Sequence, residues 1–263
     1  MLKYKLEINN LLSALRPITL EEMASVRLMN RTDTKFVTTV PKLVELLSLV
    51  ATDYQVQETC GHRLSPYATT YWDDAERHSM FRQHHCGHSP RMKVRVRTYL
   101  DSCLTFLEVK RKDNHGKTAK TRIRIGSPET LEQEAAATDF LREVSGRALA
   151  DLRPTLSNRF DRITLVNNAR TERLTLDLCL HFHNCETGQE ADVDDLVIIE
   201  LKRDGRQPST VLPLLRRLRI KPAGFSKYCI GVAMTNASLP QNRFKPRLRR
   251  LGKLAASVAN TAL

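Results

Sequence analysis

The segment Arg91-Met-Lys93-Val-Arg95-Val-Arg97 sets four cations on one side of an alternating pattern and the apolar Met92, Val94 and Val96 on the other. The same period returns along the chain. Glu108, Lys110 and Lys112 oppose Leu107 and Val109; Lys120, Arg122 and Arg124 oppose Ile123 and Ile125; Glu200 and Lys202 oppose Val197, Ile199 and Leu201. A fifth segment places Leu174, Leu176, Leu178 and Leu180 against Thr175, Asp177 and Cys179. Period-two alternation marks strands with two unlike faces. Same-face residues of a strand lie about 6–7 Å apart, so a row of Lys and Arg can engage successive phosphates. The chemistry suggested is that of polyanions, because phosphoryl transfer needs in-line positioning and charge neutralisation more than covalent chemistry by the protein.

One such strand alone is more commonly a solvated sheet face. Five of them, with helices over the apolar sides, predict an antiparallel sheet closed on itself with its charged faces inward. Cations crowded in such a lining repel one another and cost folding energy, which a bound anion offsets. The expected fold is therefore α+β: a cationic β-barrel flanked by helices. Helix signals supply the flanks. Thr19-Leu-Glu-Glu22 is a capping box opening residues 19–30, Pro41 sits in the first turn of a helix over 41–50, Ser127-Pro-Glu129 opens one through Arg142, and residues 208–218 read as another despite Pro213. No linker, repeat or low-complexity tract divides the chain. The expected organisation is a helical lead over 1–20, one domain over 21–238 and a basic tail over 239–263.

The 263 residues carry 42 Lys plus Arg against 29 Asp plus Glu, a net charge of +13, which points to anionic partners; 41% hydrophobic residues suffice for a substantial core. No apolar run reaches a membrane span and no secretory leader is evident, so the expected location is cytoplasmic, with the basic tail peripheral at the inner membrane face. Six cysteines without a C-x-x-C pair fit a reducing compartment. With 6% aromatic residues and no recognised motif, specific nucleic-acid binding is not expected. A glycine phosphate loop, G-x-x-x-x-G-K-[ST], is missing, so an ATP enzyme here must use side chains.

The ordered pieces Asp33-Thr-Lys35-Phe36, Tyr71-Trp-Asp73, Lys93-Val-Arg95-Val-Arg97-Thr-Tyr99, Glu108-Val-Lys110, Lys120-Thr-Arg122, Phe160-Asp-Arg162, Thr175-Leu-Asp177, Glu200-Leu-Lys202 and Gly224-Phe-Ser226-Lys227-Tyr228 carry a resemblance. Together they resemble the polyphosphate polymerase domain of the vacuolar transporter chaperone (VTC) complex, in its stand-alone bacterial form, over roughly residues 25–235. That domain is a triphosphate tunnel metalloenzyme, CYTH-like. The resemblance implies an eight-stranded antiparallel β-barrel tunnel and ATP-dependent synthesis of polyphosphate with release of ADP, assisted by Mn²⁺ or Mg²⁺. It implies that Lys35, Arg95, Arg97, Lys110, Lys120, Arg162 and Lys227 act on the phosphates, with Lys93, Arg122, Lys202 and Ser226 binding substrate. Glu200, and with it Glu108, is implied as metal carboxylate.

Three positions depart from the wider pattern. Arg31 stands where related hydrolases and cyclases carry the first Glu of E-x-E-x-K, which leaves a leaner metal set and favours polymerase over triphosphatase. Phe160 replaces an aromatic hydroxyl and Lys112 a His of the fungal form. Two alternatives stay open: hydrolysis of short triphosphates, with Glu108 or Asp177 as base, and a non-catalytic polyphosphate-binding accessory subunit.

The group His84-His85-Cys86-Gly-His88 is read as the tip of a hairpin loop rather than a metal site, and His181 and His183 as sharing the Thr175/Asp177 face. The tail cations Arg243, Lys245, Arg247, Arg249, Arg250 and Lys253 are read as a basic segment for an anionic membrane or a membrane partner, with Pro246 and Gly252 weakening any continuous helix; its removal is expected to spare the rest.

Overall fold

The computed structural model describes residues 2–24, 31–74, 76–205 and 207–259. The first third of the chain holds α1 (Leu2–Ala14), β1 (Arg16–Ile18), α2 (Leu20–Ala24), β2 (Arg31–Thr39), α3 (Val40–Val50), β3 (Tyr54–Gln57), β4 (Ser65–Asp73) and α4 (Ser79–Cys86). Next come β5 (Arg91–Tyr99), β6 (Leu104–Lys112), β7 (Thr118–Ile125), α5 (Ala135–Ser145), β8 (Arg153–Asn167) and β9 (Glu172–Asn184). The chain then forms β10 (Glu190–Asp192), β11 (Leu196–Asp204), α6 (Val211–Arg217), α7 (Lys227–Thr235) and α8 (Lys245–Ala259).

Eight strands form one hydrogen-bonded path, β2-β11-β9-β8-β4-β5-β6-β7, antiparallel at every step. The α+β class and the large antiparallel sheet agree with the sequence; closure does not. Among the described residues β2 and β7 remain the two ends of the path. Lys120, Arg122 and Arg124 on β7 are exposed, and charged edges of this kind resist further pairing. The sheet nevertheless curls strongly. Lys110 on β6 acts electrostatically on Glu200 of β11 and Lys35 of β2, at the far end of the path.

Two apolar clusters cover the convex side. Ile8 and Leu12 of α1, Leu43, Leu46, Leu47 and Val50 of α3, and Leu215 of α6 pack on Ile163, Leu165, Leu174, Leu176, Val197 and Ile199. Helix α3 is built for this: Pro41 lies in its first turn and its buried residues recur at helical spacing. On the other half, Ala137 and Leu141 of α5 pack on Val94, Val96, Leu107 and Val109. A third cluster fills one end of the concave side, where α7 lays Tyr228, Ile230 and Val232 against Leu156, Phe182 and Ile198. Gly231 sits so close to this floor that a Cβ would lie 2.6 Å from both Leu156 and Phe182.

Several local expectations change. The capping box forms, with Thr19 N–H donating to Glu22 Oε2 (2.8 Å) and Glu22 N–H to Thr19 Oγ1 (3.2 Å); the described helix is α2, and residues 25–30 of the expected helix lie outside the described residues. The helix expected from Ser127 is divided into a 3₁₀ turn, Leu131–Gln133, and α5, because Glu134 is extended. His84, His85 and Cys86 lie in α4 and not in a hairpin loop. Asp73, wholly buried, explains that helix: its carboxylate accepts from the N–H groups of Met80 (3.0 Å) and Phe81 (2.8 Å).

The tail is likewise part of the fold. Pro246 is in the first turn of α8, where its missing N–H costs nothing, and the helix continues through Gly252. Phe244 and Leu251 are 3% and 6% exposed, and Leu248 and Leu254 join them against the cluster that holds Tyr228 and Phe225. Truncation after Asn242 is therefore expected to lower the melting temperature by at least about 5 °C, since several buried apolar side chains are lost together. A melt unchanged within error would show that α8 is separable after all.

Candidate functional site

Register places the charged residues of seven strands on the concave face. Lys35 stands opposite Glu200, Glu200 opposite Thr175, Arg162 opposite Asp177, Arg95 opposite Glu108, and Lys110 opposite both Lys93 and Lys120. Ser226 and Lys227 reach the same face from the start of α7. Ser226 is its N-cap, accepting from Cys229 N–H at 3.2 Å. A Lys in the first turn opposes the helix dipole, and the Asp177 carboxylate that receives the Lys227 ammonium compensates for it.

Three carboxylates each bridge two cations. Glu108, 1% exposed, binds Arg95 through Oε2 (2.7 Å) and Lys120 through Oε1 (2.6 Å). Asp177 takes a bidentate Arg162 (2.6 and 2.8 Å) together with Lys227. Glu200 binds Lys35 at 3.0 Å, with Lys202 3.9 Å from its other oxygen. Arg97, Lys93 and Arg122 make other contacts among the described residues. Arg97 donates to Thr69 Oγ1 (3.1 Å), Lys93 to Ser226 Oγ (2.8 Å), and Arg122 covers the Phe106 ring at 4.4 Å. Arg97 and Arg162 also lie over the rings of Tyr67 and Phe160.

This crowding shifts the groups in a consistent way. Burial opposes ionisation of Glu108 and Glu200, yet Arg95 and Arg97 around the first and Lys35 and Lys202 around the second hold both at about 2. Asp177 is likewise held well below its usual range by Arg162 and Lys227 against the effect of burial. Burial, then Arg95 and Arg162, pull Arg97 down to about 10. Lys202 and Lys227 fall to about 8, chiefly through burial, which outweighs their carboxylate partners. Burial alone would raise the Tyr71 phenol, but Arg95, Arg97, Lys93 and Lys227 bring it below its ordinary value.

A bound polyanion raises the affinity of Lys202 and Lys227 for their protons, so binding takes protons up in the range where the free groups have lost them. Affinity for inorganic tripolyphosphate is thus expected to be full below pH 8 and to fall by about tenfold or more per unit between pH 8 and 10. Calorimetric titrations across that range test this. Affinity that is flat to pH 10 would exclude any shift of these two lysines on binding.

Among the described residues, no three or more His, Cys, Asp or Glu side chains are arranged to hold a metal ion. A single carboxylate still fits Mg²⁺ or Mn²⁺ if phosphate oxygens and water complete the shell. Glu200 fits, being ionised and having an oxygen beyond hydrogen-bond distance of Lys202. Glu108 does not: both its oxygens are taken by cations and the group is buried, so its place is that of a counter-ion. His84 donates to Met92 O (3.0 Å) and His85 to Asn242 Oδ1 (2.6 Å), which directs the two rings to different partners.

All the residues singled out from the sequence as phosphate or metal groups lie on this face or at its α7 end, with Arg122 on the exposed edge strand. His181 and His183 do not. A bulge in β9 opposite Phe160 turns the strand over, so Leu180 and Phe182 face inward while the histidines meet Glu190 and Asp192 of β10. Tyr67, Thr69 and Tyr71 were missed as wall residues. The alternation Tyr67, Thr69, Tyr71, Asp73 in β4 carried the signal.

The VTC domain family model matches residues 30–236. No curated protein sequence matches the chain. Among solved structures, the chain is similar to a Hippeastrum adenylyl cyclase candidate described as having a dominant triphosphatase activity: 16% identity over 80% of this chain and 98% of that one, TM-score 0.48. It is also similar to an adenylate cyclase candidate from Bacillus halodurans, with 16% identity over 75% and 96% and a TM-score of 0.47. A third, from Vibrio parahaemolyticus, gives 11% over 78% and 99%, with a TM-score of 0.45. Likenesses of this order carry no argument about activity.

Proposed function

This chain belongs to the VTC domain family, and from that membership and the site's electrostatics we propose that it synthesises inorganic polyphosphate from ATP, the curled sheet serving as a phosphate tunnel. A terminal phosphate oxygen of the growing chain attacks the γ-phosphorus of ATP, the bond from that phosphorus to the bridging oxygen breaks, and ADP leaves. The single observation that carries the choice of acceptor is the engagement of the carboxylates: Arg95 and Lys120 take the two oxygens of Glu108, and Arg162 with Lys227 the two of Asp177. Glu108 and Glu200, held at about 2, and Asp177, lower still, are poor proton acceptors near neutral pH. A hydrolase needs a base to activate water. A phosphate chain end is already anionic and needs none, so this lining favours transfer to phosphate over the hydrolytic alternative.

Arg95, Lys110, Lys120, Arg162, Lys35 and Lys227 then hold the two phosphate chains end to end, and Arg97, Lys93, Lys202 and Ser226 add contacts along the track. Glu200 would hold the divalent cation, which when bound neutralises charge on the transferring phosphates. The exposed cations of α8, among them Lys245, Arg249 and Lys253, form the face proposed to meet an anionic membrane or a membrane protein.

Incubation of the purified protein with ATP and Mn²⁺ is expected to yield ADP and a polymer destroyed by polyphosphatase. Orthophosphate in place of polymer would establish the hydrolase, and no turnover the silent binder. In the same assay Glu200→Gln is expected to shift the Mn²⁺ activation curve to at least about tenfold higher concentration while tripolyphosphate binding persists. An activation curve identical to the parent's would remove Glu200 as ligand.

A further inference from the structure

We propose that Phe106, Tyr99 and Arg122 form a stacking subsite for the nucleobase of the incoming nucleotide, an inference that rests on the phosphate-tunnel reading above. An aromatic band crosses four adjacent strands. Phe160 stacks on Tyr67 with centroids 5.2 Å apart, Tyr67 meets Tyr99 at 4.9 Å, and Tyr99 stands edge-on to Phe106 at 5.8 Å. Its two ends differ. Phe160 and Tyr67 are 2% and 7% exposed and lie beneath the Arg97 and Arg162 guanidiniums. Tyr99 and Phe106 are half-buried, Tyr99 pairing with Tyr67 at the opposite end of β4 from Tyr71, on which Tyr228 of α7 stacks.

At that outer end Arg122 lies 4.4 Å from the centroid of Phe106, with its Nη1 3.5 Å from the Tyr99 hydroxyl. Arg122 is carried on the edge strand and exposed, and among the described residues its contacts are this ring and the Tyr99 hydroxyl. An aromatic ring with a movable guanidinium over one face is the arrangement that takes a planar base between them. The spacing to the phosphate groups agrees. Phe106 pairs with Arg97, and the next same-face pairs inward are Glu108 with Arg95 and Lys110 with Lys93. Two such steps cover about 13 Å, a span suited to an extended ribose and triphosphate. A base held at Phe106 therefore sends its terminal phosphate toward Lys110 and Lys93. Bases with a larger π face gain more, so purine nucleotides are preferred over pyrimidine ones, and inorganic tripolyphosphate gains nothing from this subsite.

Calorimetric titration without divalent metal separates the phosphate and base contributions, using ATP, CTP and inorganic tripolyphosphate against the full chain. Phe106→Leu is expected to weaken ATP about tenfold, to shrink the ATP-to-CTP preference, and to leave tripolyphosphate within about twofold of the parent. Phe106→Tyr, which keeps a stacking face, is expected to keep the parent's preference; Arg122→Gln is expected to weaken ATP more than tripolyphosphate. Equal loss for ATP and tripolyphosphate in Phe106→Leu would make Phe106 a packing residue and overturn the subsite, as would unchanged ATP affinity. Failure of the parent to bind tripolyphosphate would overturn the tunnel reading itself, a result distinct from either.

Discussion

Arg97→Met is expected to melt a few degrees higher than the parent and to lose at least about 10²-fold in polymer synthesis. Arg97 is 7% exposed, lies on a face crowded by Arg95 and Arg162, and bonds only a threonine hydroxyl among the described residues. A buried cation with no carboxylate in contact is the least comfortable position on the wall, and an apolar side chain of similar length removes the repulsion at little loss of packing. The gain is of order 1–2 kcal/mol, as for other buried charges replaced by well-packed apolar groups. The same charge is what a phosphate chain meets, so stability and synthesis move in opposite directions. Differential scanning calorimetry alongside polymer yield tests both halves. A variant that melts lower, or one that synthesises normally, would mean Arg97 is a structural residue.

Asp177→Asn acts the other way. Asp177 is 3% exposed and compensates Arg162 and Lys227 together. The amide keeps the shape but leaves two buried cations facing each other, and breaking a buried ion pair from one side costs about 3–5 kcal/mol. The expected result is a loss of that size in chemical denaturation. Tripolyphosphate is expected to restore more stability to this variant than it adds to the parent, because the ligand supplies the missing negative charge. Equal stabilisation of variant and parent would show that the carboxylate is not acting as a stand-in for bound anion. The same reasoning applies to Arg95 and Lys227: each is one arm of a carboxylate bridge, so their removal is expected to lower stability as well as activity.

The concave face was legible because its rule is local. Arg91–Arg97, Glu108–Lys112 and Lys120–Arg124 alternate without interruption, and strand geometry then fixes which side chains share a wall. The rule failed in β9, where a bulge at Cys179 and Leu180 inverts the face within one residue; neither residue type announces a bulge, and Cys179 reaches a φ of 53° without being glycine. The carboxylate bridges were out of reach for a different reason. Glu108 with Lys120 and Asp177 with Lys227 join different elements, so which carboxylates have both oxygens engaged by cations depends on register. The packing of the tail was not legible because its cations dominate its composition, while Phe244, Leu248, Leu251 and Leu254, spaced for one helical face, determine where it packs.

The most direct test of phosphate as acceptor is the origin of oxygen in the product. With ATP turned over in heavy-oxygen water, transfer to a phosphate chain leaves the polymer and any terminal phosphate free of solvent oxygen, and consumed ATP is matched by ADP and polymer-bound phosphate. Mass spectrometry showing one solvent-derived oxygen for each γ-phosphate released would mean that water is the acceptor, and would contradict the proposal that this wall, its carboxylates engaged by cations, passes phosphate only to phosphate.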